Sequence, residues 1–145
     1  MIGLLQRVSQ GRVVIDGVCV GEIARGLVIL VGVQRADDEV RAERLLERLL
    51  GYRVFPDETG RMNLSLRDID GGLLLVPQFT LAADTRKGTR AGFSSAADPV
   101  LGEQLFDYLV GLAKQQYPEV ACGVFGADMQ VALTNEGPVT FWIES

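Results

Sequence analysis

The chain has 145 residues, of which 48% are hydrophobic and 23% charged, with a formal net charge of −5 and no histidine. This length supports one well-formed core, and the acidity argues against strong nonspecific binding of a polyanion such as DNA. Without histidine, Ser-His and Cys-His catalytic pairs are excluded, and a zinc site would need two cysteines and carboxylates. We therefore predict no metal or organic cofactor.

The cellular setting is indicated by what the sequence does not contain. No apolar run approaches the roughly 18 residues of a membrane span, and residues 1–7 lack the basic region of a secretory signal. Cys19 and Cys122 have no neighbouring cysteine at ligand spacing, so we predict two buried free thiols. We expect a cytoplasmic protein with no membrane partner.

The first third of the chain predicts a hairpin, a strand and a helix. Asp16-Gly17 is a two-residue hairpin signal between the β-branched segments 12–15 and 18–23. The unbroken apolar run 27–33 is typical of a strand covered on both faces. Residues 38–50 change to helical spacing, with Asp37 as the predicted cap and Gly51 as the end, and the predicted buried face comprises Val40, Leu45, Leu46, Leu49 and Leu50.

The remaining elements alternate in the same way. Residues 51–70 are predicted to be irregular, and a buried strand is predicted over 73–78. Asp98 and Pro99 begin a second helix that ends before Pro118. Strands are predicted over 120–125, 129–134 and 139–143. We expect an α/β fold of one domain over residues 1–145, with mixed β-sheets in barrel-like layers and two helices packed on them.

A first motif, Pro77-Gln78-Phe79-Thr80, directly follows the apolar strand. Proline ends a ladder of hydrogen bonds, which leaves the backbone N–H groups of Phe79 and Thr80 without obvious partners. Such donors can hold a developing oxyanion, and losing one typically costs on the order of a hundredfold to a thousandfold in rate. The alternative is that Pro77 only ends the strand and Thr80 only satisfies its own loop.

A second motif, Asn135-Glu136-Gly137-Pro138, precedes the last apolar run. Gly137 can adopt positive φ, and Pro138 has a fixed φ and no N–H, so the backbone is tightly restrained here. The bond between them is of the one peptide type that adopts cis at modest cost. The alternative is an ordinary turn at Glu136-Gly137 between the last two strands.

Together the two motifs resemble the paired signature motifs of the D-aminoacyl-tRNA deacylase family. The resemblance covers nearly the whole chain and extends through three further segments, namely Leu5-Gln6-Arg7-Val8, Arg61-Met62-Asn63-Leu64-Ser65 and Phe125-Gly126-Ala127-Asp128-Met129-Gln130-Val131. It implies a homodimeric enzyme that hydrolyses the ester between a D-amino acid and the 3′ end of tRNA.

The resemblance also implies a role for each site residue. Gly137-Pro138 would form a cis peptide inserted into the partner subunit's pocket, where its carbonyls hold the substrate's amino group and its backbone obstructs an L side chain. Arg7 would brace that motif. Gln78, Phe79 and Thr80 would supply the pocket wall and the donors around the scissile carbonyl. Two further residues would line the site for the terminal adenosine, namely Phe125 and Met129.

One residue departs from the family pattern. The family usually has a serine where this chain has Pro77, so a serine nucleophile is impossible at this position. Chemistry with positioned water and the ribose 2′-hydroxyl of the substrate is consistent with the absence of histidine, and Thr80 is a second-ranked nucleophile. Pro77 would also change the shape of the substrate pocket, which bears on strict D-specificity.

Two alternative functions remain open. The first is a catalytically impaired dimer that binds tRNA ends, for which Pro77 is the support. The second is a hydrolase of small D-amino acid esters or peptides, which would not need the basic residues Arg86, Lys87 and Arg90. Because phosphate contacts weaken as ionic strength rises, the salt dependence of activity separates the second alternative from a tRNA enzyme.

Overall fold

Strand β1 (Ile2–Ile15) runs through the middle of the sheet in this computed structural model, which describes residues 1–145. Its first half pairs antiparallel with β3 (Gly26–Gly32), and its second half pairs antiparallel with β2 (Val18–Ile23). The predicted turn at Asp16-Gly17 joins β1 to β2, and both of its residues have positive φ. Strand β1 begins at Ile2, ten residues before the predicted segment 12–15.

The middle of the chain returns to the sheet through a helix. Helix α1 (Glu39–Gly51) is followed by the short antiparallel pair β4 (Phe55–Pro56) and β5 (Met62–Leu64), which lies within the region predicted to be irregular. Strand β6 (Gly72–Pro77) then lies parallel to β3. A helical crossover is the usual connection between parallel neighbours.

A second crossover completes the sheet. Helix α2 (Pro99–Gln116) leads to β7 (Val120–Cys122), which is parallel to β6, and β8 (Gln130–Glu144) returns antiparallel along β1. The strand order is β2-β1-β3-β6-β7, with β8 on the other side of β1. Strands β2 and β7 come close together, since a Cβ atom on Gly21 would lie 2.9 Å from the carbonyl oxygen of Cys122. The sheet is a nearly closed barrel with two helices, as predicted.

The two faces of β3 enter different cores, which explains its unbroken apolar sequence. Leu27, Ile29 and Val31 belong to a cluster of 23 buried residues that includes the inner faces of both helices. Val28 belongs to a smaller cluster inside the barrel with Leu74 and others. At the surface, the hydroxyl of Tyr108 donates to Glu43 Oε1 at 2.6 Å, which joins the two helices and raises the pKa of Tyr108 to about 12. No helix of this fold has the length and apolarity that crossing a membrane requires.

Three predictions about the first helix and the cysteines are wrong. The cap of α1 is Asp38, which accepts a hydrogen bond from Arg41 N, because the buried Asp37 carboxylate is used by Gln34 N at 2.7 Å and by the Met1 amino group. Val40 is 68% exposed, and Ala42 occupies the buried face instead. Cys19 is exposed on β2 and Cys122 is only half-buried.

Two predicted strands near the C-terminus are one strand in the structure. Strand β8 runs from Gln130 to Glu144 as one strand, whereas the sequence predicts two strands, over 129–134 and 139–143, with a turn between them. Both halves pair with β1, which is long enough to serve as a common partner. The residues predicted to form the turn, 136–139, leave the β1–β8 ladder, which resumes at Thr140.

The buried hydroxyl of Tyr117 gives a test of this packing. It donates at 2.5 Å to Gly71 O and lies 3.2 Å from Leu66 O, beside the turn that precedes β6. Replacing Tyr117 with Phe should lower the free energy of unfolding by about 1–3 kcal/mol, because the change leaves a buried carbonyl without a partner. Urea denaturation measures this quantity.

Tyr108→Phe is the matched control for that measurement. Its hydroxyl bond to Glu43 is exposed, so water can replace it and the loss should be smaller. Equal losses in the two variants would contradict the importance of the buried Tyr117 hydroxyl.

Candidate active site

The second motif forms an excursion from the β1–β8 ladder. Asn135 pairs with Val8 and Thr140 pairs with Gln6, so four residues of β8, namely 136–139, lie opposite the single residue Arg7. Glu136, Gly137 and Pro138 are exposed there. The Gly137–Pro138 peptide bond is cis, and Gly137 has φ of +139°.

Arg7 holds this excursion from within the sheet. Its Nε donates to Glu136 O at 2.9 Å, and its Nη1 donates to Val54 O at 2.6 Å. Its side chain is only 12% exposed. Because the planar guanidinium presents several donors in a fixed geometry, one side chain joins the excursion to the segment before β4.

The excursion is also closed at its base. Asn135 Oδ1 accepts from Val139 N at 2.8 Å, and Asn135 Nδ2 donates to Thr140 Oγ1 at 2.8 Å. Glu136 lies between two arginines, with its carboxylate 3.8 Å from Arg7 Nε and 3.9 Å from Arg25 Nε. These contacts define the conformation of the Gly137–Pro138 segment from both ends.

The first motif lies at the end of β6, beside a cavity of about 480 Å³. Five residues predicted for the site line this cavity, namely Pro77, Gln78, Phe79, Phe125 and Met129. The cavity extends over the start of α2 and under the segment between β7 and β8. Its position outside the carboxyl ends of parallel strands is a common location for ligand sites.

The backbone turns sharply after Pro77. Gln78 N donates to Val31 O of β3 at 2.7 Å, and residues 79–82 then form a 3₁₀ helix. The first N–H groups of a helix have no intrahelical partner, and the Gln78 side chain does not cap them. That side chain instead donates from Nε2 to Thr80 Oγ1 at 2.5 Å. The N–H groups of Phe79 and Thr80 are thus left without a partner within this turn.

Two glycines make room for the side chains that line the cavity. A Cβ atom on Gly102 of α2 would lie 3.1 Å from Cζ of Phe125. A Cβ atom on Gly123 would lie 2.8 Å from Met129 Sδ and 3.3 Å from Pro77 Cδ. A side chain at Gly123 would therefore displace Met129, and one at Gly102 would crowd the Phe125 ring.

The cavity is mainly apolar, and its charged residues are acidic. Asp98 and Asp128 line it, whereas no lysine or arginine does. Asp98 also caps α2 by accepting from Val100 N at 3.0 Å and from Leu101 N at 3.1 Å. No serine, cysteine, tyrosine or lysine lines the cavity, so the ionisable side chains there are the carboxylates of Asp98 and Asp128.

A cluster of basic residues lies in the loop 84–92, which follows the 3₁₀ helix. Reciprocal backbone hydrogen bonds between Asp84 and Gly92, at 2.7 and 2.9 Å, close this loop. Arg86 donates twice to the Asp84 carboxylate, which holds the pKa of Asp84 below its usual range. Lys87 and Arg90 are exposed and form no ion pair.

The structure separates the predicted site residues into two groups. Arg7 is paired with Leu27, and Leu27 with Leu73, so Arg7 lies two strand spacings from β6, or about 10 Å. Pro77 lies four residues further along β6, or about 13 Å. Gly137 and Pro138 lie beyond Arg7, and neither lines the cavity. One copy of the chain therefore does not bring the two motifs together.

Sequence reasoning missed several residues that form these two groups. The signal for Gly102 is a glycine in the middle of a helical stripe, which weakens a helix unless packing requires it. Gly123 lies directly after β7, where a glycine indicates close approach of another group. The roles of Val54 and Arg25 had no local signal, because their contacts with the second motif are long-range.

Comparison with known proteins identifies the family. The family model described as D-Tyr-tRNA(Tyr) deacylase matches residues 4–144. A protein of Alkalilimnicola ehrlichii named D-aminoacyl-tRNA deacylase is 67% identical over 100% of this chain and 97% of its own length. One of Stutzerimonas stutzeri with the same name is 63% identical over 100% of both chains.

Solved structures are similar over the same span. The c-Myc DNA Unwinding Element Binding Protein has a TM-score of 0.95 at 32% identity, covering 100% of this chain and 99% of its own. A probable eukaryotic D-amino acid tRNA deacylase has a TM-score of 0.82 at 19% identity, covering 99% and 98%, which is a likeness of fold alone. With a family model and full-length relatives in agreement, this chain belongs to the D-Tyr-tRNA(Tyr) deacylase family.

Proposed function

We propose that this protein is a cytoplasmic enzyme that hydrolyses the ester between a D-amino acid and the 3′ end of tRNA. The products are a free D-amino acid and tRNA, and the biological role is chirality proofreading in translation. The observation that carries the proposal is the mainly apolar cavity at the end of β6, lined by residues of the first motif. Relatives that carry the deacylase name over their full length support the same activity.

The active form in this proposal is a homodimer. The excursion at Gly137–Pro138 is exposed and braced by Arg7, yet it lies far from the cavity of its own chain. A second copy would place its excursion in the cavity of the first, and the two-fold symmetry of a dimer would complete both sites at once. Each site would then use Gln78, Phe79 and Thr80 from one subunit and Gly137–Pro138 from the other.

Selectivity would come from exclusion of the L side chain. The carbonyl groups of the inserted Gly137–Pro138 segment would accept hydrogen bonds from the amino group of the substrate. With the amino group and the ester held, the backbone of the segment would occupy the position of an L side chain. Glycine has no side chain to exclude, so glycyl-tRNA would be cleaved as well.

The chemistry would rely on water and on the substrate. Water attacks the ester carbonyl, the developing oxyanion accepts from the N–H groups of Phe79 and Thr80, and the bond to the ribose 3′-oxygen breaks. The ribose 2′-hydroxyl relays the proton from water to the leaving 3′-oxygen. Thr80 is the less favoured nucleophile, because its Oγ1 already accepts from Gln78 Nε2 and its side chain is not part of the cavity lining.

The adenosine would occupy the part of the cavity near α2. Phe125 is half-buried against Gly102, and Met129 lies against Gly123, so both side chains are held by backbone. A flat aromatic ring and a polarizable thioether suit an adenine base. Pro77 would form the adjacent wall in place of a hydroxyl.

Pro77 is also the observation that favours the second candidate, a catalytically impaired dimer that binds tRNA ends. Replacing Pro77 with Ser should change the rate of D-tyrosyl-tRNA hydrolysis little, because the proposed reaction does not use a serine. Removal of a true nucleophile changes rates by orders of magnitude, so the two cases are readily separated. Activity that occurs only in Pro77→Ser would support the impaired binder.

The selectivity model predicts a distinct pattern across three substrates. We expect hydrolysis of D-tyrosyl-tRNA and glycyl-tRNA and no acceleration with L-tyrosyl-tRNA. Gly137→Ala should reduce hydrolysis of the D ester roughly tenfold or more, because an L residue at φ of +139° is strained by about 1–3 kcal/mol. Its Cβ would also lie 3.0 Å from Arg7 Nη2.

Gly17→Ala is the control for backbone strain in that experiment. Gly17 also has positive φ, at +80°, but no atom lies within 4 Å of a Cβ placed there. Gly17→Ala should therefore leave the relative rates of D-tyrosyl-, L-tyrosyl- and glycyl-tRNA hydrolysis unchanged. A glycyl ester that is not cleaved by the unaltered protein would refute selectivity by exclusion.

The cavity itself is tested by two leucine substitutions on one helix. Gly102→Leu should push the Phe125 ring into the cavity and lower kcat/KM for D-tyrosyl-tRNA by roughly tenfold or more. Gly111→Leu lies on the same helix, where nothing lies within 4 Å of the added Cβ, and should leave kcat/KM unchanged. Equal effects of the two variants would mean that the cavity is not the substrate site.

A further inference from the structure

Two large apolar rings are exposed together at the edge of the cavity. Phe79 is 57% exposed and Phe93 is 45% exposed. Their ring centroids are 5.3 Å apart and their planes are inclined by 38°. Exposed aromatic residues that pack on each other rather than in the core indicate a surface that binds a partner.

The aromatic pair, Phe79 and Phe93, continues the cavity outward. Phe79 lines the cavity, and Phe93 packs on the outer side of Phe79. Phe93 follows the closed loop 84–92, and Ser95 Oγ donates to Ala82 O at 2.6 Å, which ties the segment after Phe93 to the 3₁₀ helix of Phe79. The pair is thus positioned by both backbone segments that meet there.

The charged residues that line the cavity are acidic, whereas the loop before Phe93 carries basic residues. The cavity contains Asp98 and Asp128 and no basic residue, so a phosphate at its mouth has no counter-charge from the lining. Arg86 is neutralised by Asp84, which leaves Lys87 and Arg90 as the available cations of the loop. Lys87 and Arg90 are six and three residues, respectively, before Phe93 on the same short segment.

We propose that the aromatic pair, with Lys87 and Arg90, is the binding site for the nucleotide that precedes the terminal adenosine of the substrate. The base stacks on Phe93, and the loop cations neutralise the phosphate that links it to the adenosine. This inference rests on the proposed function, since it assumes that the terminal adenosine occupies the cavity. Aromatic platforms beside cationic loops are a general means of holding single-stranded nucleic acid.

Substrates of two lengths test this site directly. The 3′-D-tyrosyl ester of adenosine lacks the preceding nucleotide, whereas the 3′-D-tyrosyl ester of the dinucleotide CpA carries it. We expect the unaltered protein to have a higher kcat/KM for the CpA ester. Phe93→Leu should lower the ratio of the two kcat/KM values roughly fivefold or more, because stacking on an aromatic side chain contributes about 1–3 kcal/mol per base. The adenosine ester has no base to stack on Phe93, so its kcat/KM should fall less than that of the CpA ester.

The cations are tested with a matched pair of arginine substitutions. Arg90→Gln should lower kcat/KM for the CpA ester and leave the adenosine ester unaffected, and the loss should shrink as salt is raised. Arg44→Gln removes the same charge from an exposed position on α1 that forms no ion pair and should have no effect on either ester.

Three results would overturn the inference. The first is an equal kcat/KM for the two esters with the unaltered protein. The second is a Phe93→Leu variant in which the ratio is unchanged. The third is an equal loss on both esters together with dissociation of the dimer in sedimentation, which would mean that a second copy of the chain covers the pair. Failure of the proposed function is a separate outcome, in which the unaltered protein cleaves neither ester.

Discussion

The register between β1 and β8 is the constraint on which the arrangement of this protein depends. Both halves of β8 are paired with β1, but four residues of β8 have to fit opposite Arg7 alone. The surplus length leaves the ladder as the excursion at Gly137–Pro138. Because the ladder resumes at Thr140 and Asn135 closes the base, the excursion is a defined structure and not a loose loop. Arg7 has no paired residue on β8, and its side chain donates a hydrogen bond to Glu136 O at the start of the excursion.

A second constraint is the lack of strong catalytic side chains. The chain has no histidine, and the cavity at the end of β6 offers backbone N–H groups, an amide, the carboxylates of Asp98 and Asp128, and apolar walls. Such a cavity can position an ester and stabilise an oxyanion, but it cannot readily activate a hydroxyl nucleophile. A substrate that brings its own hydroxyl beside the scissile bond suits this composition. The proposed use of tRNA follows from that chemistry as well as from family membership.

Local patterns in the sequence predicted most of the fold. The hairpin at Asp16-Gly17 and both helices follow from signals within a few residues, and the unbroken apolar run of β3 follows from burial on both faces. The errors have a common physical cause. Asp37 is a suitable cap by sequence, but a long-range contact with Met1 takes its carboxylate. The predicted break between the last two strands is bridged because β1 pairs with both.

The candidate site was predictable as two motifs but not as a geometry. Sequence reasoning identified Gln78 and Gly137, and it expected them to act together across two subunits. The separation of the two motifs within one chain depends on strand order, which only the structure provides. Gly102 and Gly123 become visible as determinants of the cavity only when Phe125 and Met129 are seen against them. Close contacts between distant segments have no signature in a single sequence.

The excursion in β8 also affects how this protein behaves in a crowded solution. Strand β8 is fifteen residues long and pairs only with β1, so its other edge has no strand partner in this chain. A long, regular free edge is a template for the addition of strands from other molecules, which leads to aggregation. The excursion divides this edge into two short stretches, and Pro138 removes one of its donors. We therefore expect the irregularity that we assign to substrate selection to hinder edge-to-edge assembly as well.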